Sequence, residues 1–217
     1  MGLVSGGVFG NIDGNTISGI SYTPRTYAAT DILLYSAADG TSVTNNIITG
    51  SGDEAAILRR ANGYRALQSS TLALADYATA IEINPVNEWA YLERARLYIS
   101  LGEIDTAIKD LDHSIEISPS ISEAYSLRAE AFLVLSRKAP DDTQRSDWVQ
   151  LAIGDYAQAL LLDPTNANLY LARGDARSDA GRFELALADY SRALNYDSES
   201  SRAYFQRGKL YYDMAQQ

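Results

Sequence analysis

The chain has 217 residues, of which 46% are hydrophobic and 21% charged, and it contains no cysteine. Its formal net charge of −10 at pH 7 argues against nucleic-acid binding, which requires clustered lysines and arginines to neutralise phosphates. The lack of cysteine excludes disulfides and cysteine-based zinc sites, no apolar run approaches the ~20 residues of a membrane-spanning helix, and we expect no cofactor and no metal site.

The first residues carry no visible targeting signal. Residues 1–10 lack the basic start and the apolar block of a secretory signal. The compartment is therefore unknown, with a cytoplasmic protein as the default expectation and an extracellular one if Met1 is not the true start.

Residues 1–53 differ in composition from the rest of the chain. Gly, Ser, Thr and Asn dominate them, and short runs with β propensity at 16–22, 31–36 and 42–49 are separated by turn-forming residues. Composition alone favours a disordered leader. The alternative is an extended arm with possible short β-strands that adds to a partner. Its apolar residues would then make the self-assembly contacts: Ile17, Ile20, Tyr22, Ile32, Leu33, Leu34, Tyr35, Val43, Ile47 and Ile48.

Four related stretches organise the remainder of the chain, at residues 73–77, 107–111, 152–156 and 186–190. Each begins with alanine and places an aspartate three residues later. These aspartates are Asp76, Asp110, Asp155 and Asp189, which are 34, 45 and 34 positions apart. Self-similarity with a period near 34 is typical of stacked helical hairpins.

From residue 54 onward, apolar residues recur every three or four positions, which predicts amphipathic helices. Gly102 separates two such helices within one period. Pro85, Pro119 and Pro164 stand where the second helix of a period should end, because proline interrupts the hydrogen bonds of a helix.

This pattern resembles the tetratricopeptide repeat family over residues 54–217. Within residues 88–121 the resemblance rests on Tyr91, Ala95, Tyr98, Gly102, Ala107, Leu111 and Pro119. It implies an all-α fold, a right-handed solenoid of four hairpins near 54–87, 88–121, 122–166 and 167–200. A capping helix at 201–217 would complete it, and the arm at 1–53 would precede it.

The third repeat is 11 residues longer than the others because of an insertion around 136–146. Pro140 followed by Asp141 and Asp142 is typical of a helix N-terminus. We predict a longer hairpin that projects from the edge of the solenoid, with a flexible loop as the alternative.

No set of residues suggests catalysis, and we expect no enzyme. The single histidine, His113, falls on the solvent side of a predicted helix. The repeated aspartates should lie one repeat apart rather than converge on one substrate, so we interpret them as structural positions that bond to a neighbouring Arg or Tyr.

In the family that the chain resembles, the first helices of the hairpins line a concave groove that holds an extended peptide or a partner helix. The residues that this resemblance places in the groove are Leu58, Asn62, Trp89, Leu92, Arg96, Glu123, Glu130, Leu171, Asp175, Asp179, Phe205 and Lys209. Trp89 and Arg96 are residue types that dominate interface energetics. Packing against the preceding hairpin is an equally good interpretation of Trp89.

Two functional hypotheses follow. The preferred one is a non-enzymatic protein-interaction scaffold whose partners are other copies of itself, assembled through the arm into a polymer or fibre. The alternative is an adaptor that binds an extended segment of another protein in the groove.

Overall fold

A computed structural model describes residues 12–13, 16–17, 43–44, 47–48 and 54–216. The chain divides into two compact units, Met1–Pro85 and Val86–Gln217. None of the described helices combines the length and the apolar character that crossing a membrane requires.

The described residues of the first unit include four two-residue strands. β1 (Ile12–Asp13) pairs in parallel with β3 (Val43–Thr44), and β2 (Thr16–Ile17) pairs in parallel with β4 (Ile47–Ile48). In both pairs the partner residue lies 31 positions further along the chain. The predicted runs at 16–22 and 42–49 contain β2, β3 and β4, whereas β1 lies outside every predicted run.

Several predicted arm residues have no described structure. Ile20, Tyr22, Ile32, Leu33, Leu34 and Tyr35 lie outside the described residues. Ile17, Val43, Ile47 and Ile48 fall within the strands. The assembly role of all ten stays a prediction.

The first unit also contains one helical hairpin, formed by α1 (Glu54–Ala66) and α2 (Ser70–Ile83). Its two helices meet through residues without solvent exposure, namely Ala61, Ala73, Tyr77 and Ala80. Because most of these residues are alanine, the two backbones can approach closely while Tyr77 fills the remaining space.

The second unit is a stack of helices. They are α3 (Glu88–Leu101), α4 (Ile104–Ile117), α5 (Ser122–Lys138), α6 (Asp142–Leu162), α7 (Ala167–Asp179), α8 (Phe183–Tyr196) and α9 (Ser201–Ala215). Each helix contacts the next, and α3 and α7 also contact α5 and α9, respectively. The predicted all-α series of hairpins followed by a last helix is confirmed.

The helix ends follow from local chemistry. Asn87 caps α3 by accepting hydrogen bonds from the amides of Trp89 and Ala90 at 2.9 and 3.3 Å. Gly102 ends α3 in the left-handed conformation, with a φ of 81°, which glycine adopts without steric cost. The helices α2, α4 and α6 end two residues before Pro85, Pro119 and Pro164, as the sequence predicts.

The insertion in the third repeat lengthens both helices of its hairpin. α5 has 17 residues and α6 has 21, against 14 in α3 and in α4. Asp141 caps α6 by accepting a hydrogen bond from the amide of Gln144 at 2.8 Å, so the predicted helix start is confirmed. Residues 140–147 are exposed.

Candidate functional site

One ion pair recurs in all four described hairpins and joins their two helices. The pairs are Arg60–Asp76, Arg94–Asp110, Arg128–Asp155 and Arg173–Asp189, with N–O distances of 2.6–3.0 Å. In every pair the arginine donates from both Nε and Nη2, the bidentate geometry that a guanidinium offers a carboxylate. The aspartates are buried. The interpretation of the repeated aspartates as structural positions that bond to an arginine is therefore confirmed.

The position two residues after each of these arginines changes along the chain. It holds Asn62, Arg96, Glu130 and Asp175, four of the residues that the resemblance placed in the groove. In the first and fourth hairpins a tyrosine of the second helix donates to it, Tyr77 to Asn62 at 2.5 Å and Tyr190 to Asp175 at 2.9 Å. A constant ion pair thus supports a side chain that differs from hairpin to hairpin.

Arg96 of α3 lies between two glutamates. Its Nη2 donates a hydrogen bond to Glu123 of α5, and its Nε lies 3.5 Å from Oε2 of Glu93. Partial burial lowers the pKa of Arg96, but the hydrogen bond to Glu123 and the nearby carboxylates more than offset this effect, so its pKa is raised. Arg96 is consequently a fixed cation at this end of the unit.

A cavity of about 350 Å³ lies between α5 and α7, and two of the predicted groove residues, Glu123 and Glu130, line it. Ser122, Glu123, Ser126, Glu130, Asn168 and Ala172 contribute to its lining. The buried Tyr156 of α6 also lines it. Because Glu123 and Asn168 stand seven residues before Glu130 and Asp175, they belong to the same stripe of their helices. We call this cavity the groove.

Glu130 lines the groove as an exposed side chain. Loss of hydration raises the pKa of Glu130, and the positive charge of Arg96 opposes the rise. Burial also raises the pKa of the Tyr156 hydroxyl, and the carboxylates of Glu130 and Asp175 add to it. Tyr77 and Tyr190 donate to Asn62 and Asp175 in their hairpins, but Tyr156 makes no hydrogen bond to Glu130, which stands at the same position in its hairpin. Within residues 54–216, the side chains of Tyr156 and Glu130 make no other hydrogen bond.

A second, smaller cavity of about 80 Å³ lies between α7 and α9. Asp175 lines it and accepts hydrogen bonds from Tyr190, Gln206 and Arg202, at 2.9, 2.9 and 2.7 Å. Burial and the charge of Asp175 raise the pKa of Asp179 beside it. Internal donors already engage Asp175, so this cavity has less capacity for a ligand than the groove.

Two leucines predicted to line the groove are instead part of the core. Leu92 and Leu171 are 0% and 4% exposed and pack in the hydrophobic clusters of the second unit. Each lies four residues before Arg96 or Asp175, about 40° around the helix, on the side that turns toward the adjacent helices. Phe205 occupies the equivalent position of α9 but is exposed. Leu92 and Leu171 therefore leave the set of candidate ligand-binding residues.

The remaining predicted residues have mixed positions. Trp89 is half exposed and stands in the same register of α3 as Glu123 does in α5. Lys209 lines the smaller cavity. His113 is exposed and lies 3.4 Å from Glu116, on the solvent side of α4 as the sequence predicts.

Sequence reasoning missed Tyr156 and Asn168 as groove residues. A usable signal was present in the sequence. Arg60, Arg94, Arg128 and Arg173 are 34, 34 and 45 positions apart, so they recur once in each repeat. Aligning the repeats on these arginines gives the groove position two residues later. It also gives the stripe position seven residues before that one, where Asn168 stands.

Comparisons with known proteins agree with this architecture. Residues 77–109 match a family model described as tetratricopeptide repeat, and residues 174–214 match one described as TPR repeat. No curated protein matches the sequence.

Among solved structures, a thermophilic TPR protein of Thermus thermophilus is 25% identical, with a TM-score of 0.61 over 74% of this chain and 82% of that one. MamA from Desulfovibrio magneticus RS-1 is 16% identical, with a TM-score of 0.66 over 76% of this chain and 88% of that one. The first TPR domain of Spaghetti (RPAP3), bound to the HSP90 peptide SRMEEVD, is 23% identical. Its TM-score is 0.52, over 59% of this chain and 93% of that one.

Proposed function

We propose that this chain is an adaptor whose groove binds an extended, basic polypeptide segment. The premise is that its helical part is a segment of the tetratricopeptide repeat family. Repeats of this family are in general non-enzymatic modules for protein interaction, so the chain is a protein-interaction scaffold. The proposal concerns where its partner binds and what chemistry that partner has.

The observation that supports this proposal is the state of Glu130. Its carboxylate lies in a cavity of about 350 Å³ with a raised pKa, and no described protein group donates a hydrogen bond to it. Glu130 is an exposed side chain on the wall of this cavity, and a carboxylate without a donor gains a charge-assisted hydrogen bond when a lysine or arginine of a ligand reaches it. The neighbouring Asn168 offers an amide that can bond to the backbone of an extended chain.

The charge of the groove selects the kind of ligand. Glu123 and Glu130 both line it, and Arg96 beside them is already bonded to Glu123. The similar domain of Spaghetti (RPAP3) was solved with the peptide SRMEEVD, which carries three acidic residues. Such a peptide would place carboxylates against those of the groove, and like charges in contact disfavour binding.

A matched pair of peptides tests the proposal. Fluorescently labelled SRMEEVD and its basic counterpart SRMKKVK are titrated against the full chain, and fluorescence anisotropy gives the two dissociation constants. We expect saturable binding of the basic peptide at least about tenfold tighter than that of the acidic one. Glu130→Lys should abolish this preference because it removes the acceptor and adds a like charge.

Glu116→Lys is the control, since Glu116 is exposed on α4 and does not line the groove. It changes the net charge by the same amount, so a loss of binding in both variants would indicate nonspecific attraction to an acidic protein. Equal affinity for both peptides, or binding that Glu130→Lys leaves unchanged, would contradict the proposal.

Self-assembly through residues 1–53 is a second candidate function, and the strands of the first unit favour it. Each described strand has two residues and pairs with one other strand. Pairs of this length are marginal alone and gain stability when further strands extend them. Strands from a second copy would supply that extension.

Deletion of residues 1–53 tests this second candidate. Sedimentation velocity should show a concentration-dependent assembly for the full chain and a monomer for the deletion variant, with unchanged helical circular dichroism per helical residue. An unchanged sedimentation profile after the deletion would eliminate the arm as the assembly element.

A further inference from the structure

α9 has the sequence of a first helix in the repeated hairpin. Ala203, Tyr204, Arg207, Leu210 and Tyr211 stand where α3 has Ala90, Tyr91, Arg94, Leu97 and Tyr98. Ala203 and Leu210 are buried, as their counterparts are, so α9 packs on the preceding hairpin in the usual way. No described helix takes on α9 the place that α4 takes on α3 or α8 takes on α7.

The side of α9 where a second helix would lie is apolar and exposed. Phe205 is 68% exposed, whereas Leu171, its counterpart in α7, is 4% exposed. Tyr204 and Tyr211 are also exposed, as is Tyr212 beside them. A row of four exposed aromatic side chains along one helix is an apolar patch that proteins normally cover.

The surroundings of Gly208 also show that this side of α9 is open. In α7 the counterpart is Gly174, where an added Cβ would lie 2.7 and 2.9 Å from two ring carbons of Tyr190 and 3.3 Å from Cβ of Asp189. At Gly208 an added Cβ would meet nothing within 4 Å. The space beside Gly208 therefore matches the space that the Asp-Tyr pair of α8 fills beside Gly174.

Arg207 stands at the position of the repeated arginine that forms the ion pair in each hairpin. Its Nη1 donates to Ser191 of the preceding hairpin at 3.3 Å, just as Nη1 of Arg128 donates to Asp112. In the four hairpins Nε and Nη2 of the repeated arginine bind an aspartate of the second helix. Among the described residues, no acceptor bonds to these two atoms of Arg207.

We infer that α9 is a docking site for an amphipathic helix of a partner polypeptide that carries the pattern Ala-x-x-Asp-Tyr-x-x-Ala. The aspartate of this helix would accept from Nε and Nη2 of Arg207, and the tyrosine ring would lie on Gly208. The two alanines would let the helices approach as closely as α7 and α8 do. This site is separate from the groove, so the inference does not depend on the proposed ligand of the groove.

A separate partner fits this site better than a second copy of the chain. Among the described residues, the helices with a related pattern are α2, α4, α6 and α8, and their aspartates are at most 8% exposed within their own hairpins. A second copy would have to open a hairpin and break a bidentate ion pair to present one of them. A partner with a free helix of this pattern meets no such cost.

The natural probe is a synthetic peptide with the sequence of α8, Phe183–Tyr196, because that sequence already docks on the equivalent surface of α7. Anisotropy titration of the labelled peptide against the full chain should show saturable binding to one site. Arg207→Glu should weaken it at least about tenfold, and a peptide with the change Asp189→Arg should bind this variant better than it binds the original chain.

Two further variants separate docking from general effects. Gly208→Leu places a good helix former in α9 but fills the space for the tyrosine, so it should weaken binding without unfolding the helix. Lys209→Glu reverses a neighbouring charge that lines the smaller cavity instead, and should leave binding of the peptide within about twofold. Circular dichroism of each variant establishes that it is folded.

Absence of saturable binding, or equal binding to the original chain and to the Arg207→Glu and Gly208→Leu variants, would overturn the inference. A dimer in sedimentation velocity that both variants dissociate would overturn it as well, because a second copy would then occupy the site.

Discussion

At the scale of single residues, the ion pair inside each hairpin is the feature that repeats most faithfully. Asp189 is its most buried member and accepts from two arginines, Arg173 at 2.7 and 3.0 Å and Arg177 at 2.7 Å. Burial and the like charge of Arg173 oppose the attraction of Asp189, and the pKa of Arg177 is lowered as a result. The two cations coexist because one carboxylate lies between them.

Removing that carboxylate should destabilise the fold. We expect Asp189→Asn to lower the free energy of unfolding by about 3 kcal/mol, because two partly buried guanidinium groups would be left facing each other. The matched change Asp112→Asn removes a carboxylate that is 47% exposed and should cost less than about 1 kcal/mol. Urea unfolding followed by circular dichroism measures both, and equal effects would contradict this account.

Gly174 and Gly208 form a second matched pair. Alanine at Gly208 meets no neighbour and removes the flexibility of glycine in a helix, so Gly208→Ala should stabilise the chain by about 0.5–1 kcal/mol. Alanine at Gly174 would press on the buried ring of Tyr190, so the same gain should be lost to steric repulsion. Thermal unfolding should show a higher Tm for Gly208→Ala only, and an equal rise in both variants would show that the space at Gly174 is not tight.

The pKa of Glu130 should lie above the ordinary value of a glutamate. Because its folded-state pKa is raised, the folded state binds the proton more tightly than the unfolded state does. Its contribution to stability therefore decreases as the pH rises from the unfolded-state pKa through the folded-state pKa. Side-chain NMR titration measures the pKa directly.

Two variants check the cause of that shift. Glu130→Gln should remove this part of the pH dependence of stability, and Arg96→Ala should raise the pKa of Glu130 further because an opposing positive charge is lost. An unshifted Glu130, or a pKa that falls in Arg96→Ala, would show that hydration of the groove is not the cause.

The sequence predicted some of these residues well and others poorly. The spacing of Asp76, Asp110, Asp155 and Asp189 marked them as structural, but their arginine partners emerge only when two helices are placed side by side. Leu92 and Leu171 were assigned to the groove because they lie one helical turn from it. A rotation of about 40° around the helix axis separates the groove positions from the core positions. The hydrophobicity of a residue does not indicate on which side of this boundary it lies.

At the scale of elements, helix starts and ends were the most predictable features, since they depend on neighbouring residues. Gly102 and the three prolines at the ends of α2, α4 and α6 act through the backbone of their own segment. The start of α6 is likewise local, because the side chain of Asp141 caps it. The strand β1 was missed because two residues carry too little pattern to identify a strand.

The cap of α6 gives a prediction at this scale. Asp141→Ala should remove the acceptor for the amide of Gln144 and cost about 1 kcal/mol. Since residues 140–147 are exposed, the loss should appear as faster hydrogen exchange in the first turns of α6 rather than as global unfolding. Asp147→Ala is the control, because Asp147 lies in the helix and caps nothing. Similar exchange in both variants would contradict the capping role.

At the scale of the whole molecule, recognition depends on side chains that are far apart in sequence and share one surface. Glu130 of α5, Tyr156 of α6 and Asn168 of α7 meet only because the second unit stacks its hairpins. The repeat period predicts that such a surface exists. It does not predict that Tyr156 makes no hydrogen bond to Glu130. In the third hairpin the longer side chain of glutamate stands where the first and fourth hairpins have Asn62 and Asp175.

The same stacking explains why α9 differs from the groove as a surface. In the groove, polar groups surround a cavity, whereas α9 presents aromatic rings, an open glycine and a cation that lacks its aspartate. We therefore propose an extended basic segment as the ligand of the first surface and a helix as the ligand of the second.

We propose above that an extended basic segment binds in the groove between α5 and α7. Backbone amide NMR of the full chain during titration with the peptide SRMKKVK tests it most directly. We expect shift changes that concentrate at Glu123, Ser126, Glu130, Asn168 and Ala172 and disappear in Glu130→Lys. Changes confined to the exposed residues of α4 and α8, or the same changes with SRMEEVD, would contradict it.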